Sequence, residues 1–121
     1  MAVDGGTVRE VLAAAEAVPR RAGAVLLVGA DGRLSGILTD ADLRRRVLSG
    51  DPAAVLDGPV RDAMHAGPRR VRVGDLAGEA LAIMNELRID ELPVVDADDR
   101  PVGLLDVQDL VGLKALNHAQ Q

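Results

Sequence analysis

Phenylalanine, tryptophan and tyrosine are all absent from these 121 residues. No aromatic ring can fill the core or stack on a bound base. Packing must rest on Val, Leu, Ile, Ala and three Met, and any base or sugar must be held by aliphatic side chains and backbone. Cysteine is absent too, which removes disulfides, zinc–thiolate sites and thiol nucleophiles and fits a reducing compartment. Lysine is reduced to Lys114. The arginines form two short clusters, Arg44, Arg45 and Arg46, then Arg69, Arg70 and Arg72, in a chain of net charge −5. Such clusters, without interleaved aromatics, argue against a nucleic-acid partner. No apolar run reaches the ~18 residues of a membrane-spanning helix, and the first residues lack a signal-peptide pattern. The expectation is a cytoplasmic protein with no membrane association.

Catalytic and metal chemistry are equally poorly served. Thr7, Ser35, Thr39 and Ser49 are the only hydroxyl nucleophiles of their type, and none lies in a nucleophile elbow. His65 and His118 stand far apart without metal-ligand spacing. The acidic run 96–99, "DADD", lacks the ligand ladder of a calcium loop and reads as a turn. No metal, no cofactor and no enzyme activity are expected.

What the chain does have is an internal repeat. "ADGRLSGILTDADL" (30–43) lies over "ADDRPVGLLDVQDL" (97–110), with Gly36 and Gly103 separated by 67 residues. "AVLLV" (24–28) falls over "ELPVV" (91–95), and "REVLAAAEAV" (9–18) resembles "GEALAIMNEL" (78–87). A period of this kind signals one structural motif used twice. Each copy reads as helix, strand, polar turn, strand, helix. Val8, Val11, Leu12 and Ala15 mark the first helix, and Leu76, Ala80, Leu81, Ile83, Met84 and Leu87 mark its counterpart. The second helices start at Thr39 and Asp106 and end near Gly50 and shortly after Leu116. Asp31-Gly32 is a hairpin signal. Residues 50–75, rich in Gly, Pro and Asp, read as a connector with a helical turn near Val60 to Met64 and a brief strand at 71–73. Expected core residues include Val25, Leu27, Ile37, Leu81, Met84, Val94 and Leu104.

"GILTDADLRRR" (36–46) carries the most chemical information. Thr39 followed at three residues by Asp42 has the spacing of a capping box, in which the carboxylate bonds back to the cap. The same geometry offers a ligand site. Orphan N–H groups and the positive dipole end of a helix attract a phosphate, a threonine hydroxyl adds a donor, and a carboxylate accepts from both hydroxyls of a ribose. In the second copy Asp106 replaces the threonine. A carboxylate facing a phosphate costs on the order of 1 to 4 kcal/mol at contact, so the first site is expected to dominate.

The set "GILTDADL", "VRDAM" and "IDELPVVDADDRPVGLLDVQDL" resembles the CBS domain family, as a tandem pair over nearly the whole chain. Within it, "GILTDADLRRR" with "GLLDVQDL" looks most like the C-terminal module of arabinose-5-phosphate isomerases of the sugar-isomerase type. The resemblance implies a mixed α/β fold of two β-α-β-β-α repeats related by a pseudo-two-fold axis. Repeat one would be 1–49 with its opening strand short or missing, 50–70 a connector, and 71–121 repeat two. It implies a non-catalytic regulatory module that binds an AMP-like nucleotide or nucleotide-sugar, with a homodimer and an attached or associated sugar-isomerase domain as partners. Ligand-binding residues carried over are Gly36, Ile37, Leu38, Thr39 and Asp42, with Arg70, Val71, Arg72 and Asp90 from the other copy. Asp90 and Glu91 disfavour a highly charged ligand. The alternative is a structural dimerisation module without a ligand. The run of three arginines reads as a solvated helix face.

Overall fold

The computed structural model describes residues 1–17 and 23–108, and the chain divides into two units, Met1–Pro68 and Arg69–Gln121. In the first unit the order is β1 (Ala2–Val3), α1 (Val8–Glu16), β2 (Ala24–Val28), β3 (Leu34–Thr39), α2 (Asp40–Ser49), α3 (Pro52–Asp57), α4 (Val60–Ala63) and β4 (His65–Ala66). In the second it is β5 (Val71–Arg72), α5 (Ala77–Leu87), β6 (Glu91–Val95) and β7 (Pro101–Asp106). Val107 and Gln108 are helical, and the rest of the second copy's final helix, expected from Asp106 to about Leu116, lies outside the described residues, as do Asp109 and His118.

The repeat survives at the level of single residue pairs. In the β2–β3 hairpin Ala24 faces Thr39, Leu27 faces Gly36 and Val28 faces Leu34. In the β6–β7 hairpin Glu91 faces Asp106, Val94 faces Gly103 and Val95 faces Pro101. Each ladder carries an irregularity at the same step, Leu27/Val28 and Val94/Val95. The turns match as well. Gly29 N–H donates to Arg33 O at 3.0 Å and Asp96 N–H to Arg100 O at 2.9 Å. Gly32 sits at φ 80°, and Asp99 adopts φ 64° in its place, a left-handed conformation natural to glycine and tolerated by aspartate. Asp96 Oδ1 accepts from the Asp98 and Arg100 N–H groups at 2.9 and 3.0 Å, so the acidic run is a turn held by its own first carboxylate.

Each sheet adds a short parallel strand at one edge: β1 on β2, and β5 on β6. Pro93 interrupts the middle of β6 but lies just before the Val71–Val94 pair that begins the β5 ladder. Its missing N–H therefore removes no bond to β5.

Helix α1 starts at Thr7, whose Oγ1 accepts from Glu10 N–H at 3.1 Å and donates to Glu10 Oε1 at 3.1 Å. Val8 and Val11 then meet Leu27, Leu38, Val60 and Ala63 in the first core. The second core joins Val71, Ala80, Met84 and Leu92. Of the expected core residues, Leu27, Ile37 and Met84 are buried, whereas Val25, Leu81, Val94 and Leu104 are half-buried. Strand alternation accounts for Leu104. Leu38 and its counterpart Leu105 face the helices, so Ile37 and Leu104 point to the other side of their sheets.

The Gly, Pro and Asp content of 50–68 conceals an ordered segment. Asp51 caps α3 through Ala53 N–H at 3.2 Å, and Pro52 occupies the first turn, where its fixed φ is favourable. Val8 N–H donates to Gly58 O at 3.1 Å and Val60 N–H to Gly6 O at 2.9 Å, clipping the start of α1 to the start of α4. Arg61 Nη2 reaches the buried carboxylate of Asp4 at 2.9 Å, fastening α4 to the end of β1. That guanidinium, then the Ser35 hydroxyl, hold the Asp4 carboxyl below its ordinary value of 3.8. Stability from this contact is complete above pH 3.8 and is lost as pH falls through the lowered folded-state value. Asp4→Asn should therefore flatten the acid limb of the stability curve, read as melting by circular dichroism between about pH 2.5 and 5. An unchanged acid limb would remove Asp4 from the titration.

Candidate functional site

The β3–α2 junction presents the residues singled out by sequence. Gly36 and Ile37 are buried in β3, and Leu38, 2% exposed, belongs to the first core. These three can offer a ligand only backbone atoms or their immediate surface. Gly36 has a packing reason of its own, because a Cβ there would overlap Met64 Sδ. Thr39 ends the strand and caps α2, its Oγ1 accepting from Asp42 N–H at 3.0 Å. The reciprocal half of the capping box takes another course. The Asp42 carboxylate accepts from Arg45 Nη2 at 2.7 Å, one turn further along the helix.

Asp42 and Arg45 open onto a cavity of about 220 Å³, which Arg46, Ala63, Met64 and His65 complete. Its rim thus brings two arginines and a histidine to within one small hollow beside a helix N-terminus. Sequence reasoning assigned Arg45 and Arg46 to a solvated face and His65 to the connector. The signal for Arg45 and Arg46 was their position three and four residues after Asp42, one turn along the same helix face. His65 was not findable locally, because it arrives by the pairing of β4 with Ile37. The Asp42–Arg45 pair is open to solvent on the arginine side, 72% exposed against 24% for the aspartate. Such a pair is worth about 0–1 kcal/mol, so an incoming anion can displace it.

The remaining expected residues belong to the second unit. Arg70 is half-buried and its Nη1 donates to both Asp99 oxygens at 2.8 Å. Val71, 5% exposed, is a core residue. Arg72 is exposed, and its N–H donates to Asp75 Oδ2 at 2.8 Å. Asp90 is exposed and its carbonyl accepts from Val107 N–H at 2.7 Å. Asp106 Oδ1 accepts from Gln108 N–H at 2.8 Å, a cap-like contact in the place where Thr39 caps α2.

Among the described residues no group of three His, Cys, Asp or Glu is placed to hold a metal ion. No described helix is long and apolar enough to cross a membrane.

Comparison with known proteins places these features. The family model described as "CBS domain" matches residues 60–115. The arabinose 5-phosphate isomerase KdsD of Pseudomonas aeruginosa is 43% identical over 89 residues, covering 74% of this chain and 27% of that protein. The chain thus spans about a quarter of the length of the curated isomerases that it matches. Among solved structures, a CBS domain is 30% identical with a TM-score of 0.74, covering 93% of this chain and 85% of that one. A CBS domain protein from Pyrobaculum aerophilum, complexed with AMP, is 25% identical with a TM-score of 0.75, covering 90% and 81%.

Proposed function

Since the chain belongs to the CBS domain family, we propose that it is a non-catalytic regulatory module whose first repeat binds the ribose and phosphate of a nucleotide or nucleotide-sugar. The observation that carries this is the cavity at Asp42, lined also by Arg45, Arg46 and His65. Asp42 accepts from the ribose hydroxyls, the α2 N-terminus and Thr39 receive the phosphate, and Arg45 exchanges Asp42 for that phosphate. The hollow is smaller than the roughly 300–1,000 Å³ of a pocket that encloses a whole ligand. The base therefore lies outside it, against aliphatic groups. Gly36, Ile37 and Leu38 supply backbone to this site, and Arg70 at the end of the connector, with Val71, Arg72 and Asp90 of the second repeat, is its proposed further contribution. The repeats are taken as 1–49 and 71–121 with 50–70 joining them.

Support for a nucleotide comes from the relative solved with AMP. Support for a role beside a sugar-phosphate isomerase comes from the similarity to arabinose 5-phosphate isomerases. The ligand regulates such an enzyme by binding two arrangements of the module unequally, and the setting is cytoplasmic. Pairing of two copies through α2 is a second reading, favoured by Leu48, which is 80% exposed on that helix.

Calorimetric titration of the full chain with AMP tests the first reading. Saturable heat with one equivalent per chain is expected. Absence of heat with AMP, ATP and nucleotide-sugars alike would return Thr39 and Asp42 to a helix cap and leave the dimer reading standing.

A further inference from the structure

Strand β3 is paired on both sides, by β2 and by β4, with Gly36 opposite Ala66 and Ile37 opposite His65. The Ser35 carbonyl extends this outer ladder by accepting from Gly67 N–H at 3.0 Å. Met64, just ahead of β4, lies over Gly36, where a Cβ would overlap its sulfur. Strand β7 is the counterpart of β3, aligned against β6 pair for pair. Among the described residues, however, β7 is the edge of its sheet. Val102, the counterpart of Ser35, is 56% exposed. Gly103, the counterpart of Gly36, is exposed, and a Cβ there would meet nothing within 4 Å.

An open, partly apolar edge is a template for another strand, and a strand glycine leaves a dent that a side chain can enter. We infer that the β7 edge is the docking site of a segment built like residues 60–66. That segment is one helical turn ending in methionine, followed by two extended residues that extend the sheet. The duplication specifies the occupant, because the dent at Gly103 is the one that Met64 fills at Gly36. The family match points the same way. It begins at Val60, so α4 and β4 open the motif that continues through the second repeat, yet they pack within the first unit. The leading segment of the matched motif thus completes the sheet of the first unit and not that of the second.

The test adds a second copy of residues 59–67 ahead of Met1 of the full chain, through a flexible linker of about 15 Gly and Ser residues. Such a tether gives an effective concentration on the order of millimolar. The readout is amide exchange at Val102 and Leu104, the counterparts of the β3 residues that face β4. A tenfold slowing at these amides is expected relative to the parent chain, and Gly103→Val in the fused chain should abolish it by filling the dent. Unchanged exchange in the fused chain would overturn the inference. So would slowing that survives Gly103→Val, because the methionine would then not occupy the dent. Protection already present in the parent would overturn it too. If that protection rises with protein concentration the occupant is a second copy, and if it does not the edge is covered by the chain's own residues.

Discussion

Asp42→Asn should weaken nucleotide binding roughly 10- to 100-fold, about 1.5–3 kcal/mol, with little change in melting temperature. The substitution keeps the shape of the side chain and removes the charge that accepts from two ribose hydroxyls. Its structural cost is small, since the pair it breaks is the solvent-open contact with Arg45, worth about 0–1 kcal/mol. The helix cap also survives, because Thr39 Oγ1 accepts from the backbone N–H of residue 42 and not from its side chain. Thr39→Ala is less informative, as loss of the cap alone costs about 1 kcal/mol of stability. Asp106→Asn alters the corresponding turn of the second copy and should leave affinity nearly unchanged. Equal losses from Asp42→Asn and Asp106→Asn in calorimetry would refute the first site as the dominant one.

Gly36→Val should cost about 1–3 kcal/mol in urea unfolding followed by circular dichroism, and Gly103→Val should cost almost nothing. The two glycines occupy the same position of the repeat and face corresponding partner residues, Leu27 and Val94. They differ in what stands over them. At Gly36 the new side chain meets Met64 Sδ, Cγ and Cε, so Met64 must shift from its place against the first core. At Gly103 the space is open, and a β-branched residue suits a strand. Equal costs would mean that strand propensity, and not the methionine, decides both positions.

Much of this was legible in the sequence because the repeat gave every local pattern a second instance. The hairpins, the α1 and α5 faces and the Thr39 cap rest on short-range spacing and were read from it. Helix α3 was hidden because Gly, Pro and Asp mark both connectors and helix starts, and Asp51-Pro52 is a start. The approach of His65 to Asp42 was illegible, since a strand pairing between distant segments creates it. Core membership failed by one residue at Leu104, where Leu105 faces the helix. Two adjacent apolar residues in a strand do not reveal which one looks inward. The ion pair of Arg70 with Asp99 depends likewise on the β6–β7 turn bending back toward the start of β5.

The clip between the loops preceding α1 and α4 also bears on the order in which the chain acquires its structure. Val8 and Gly58 are 50 positions apart along the chain when they bond, whereas the Val71–Val94 pair spans 23. Bringing distant positions together costs entropy before any contact repays it, and folding slows as the mean separation of contacts rises. The first unit cannot close its clip until β2, β3, α2 and α3 have compacted the intervening chain. Among the described residues the second unit carries no comparable long-range closure. The expected result is that two copies of one motif fold on different clocks, with the slower search in the first unit.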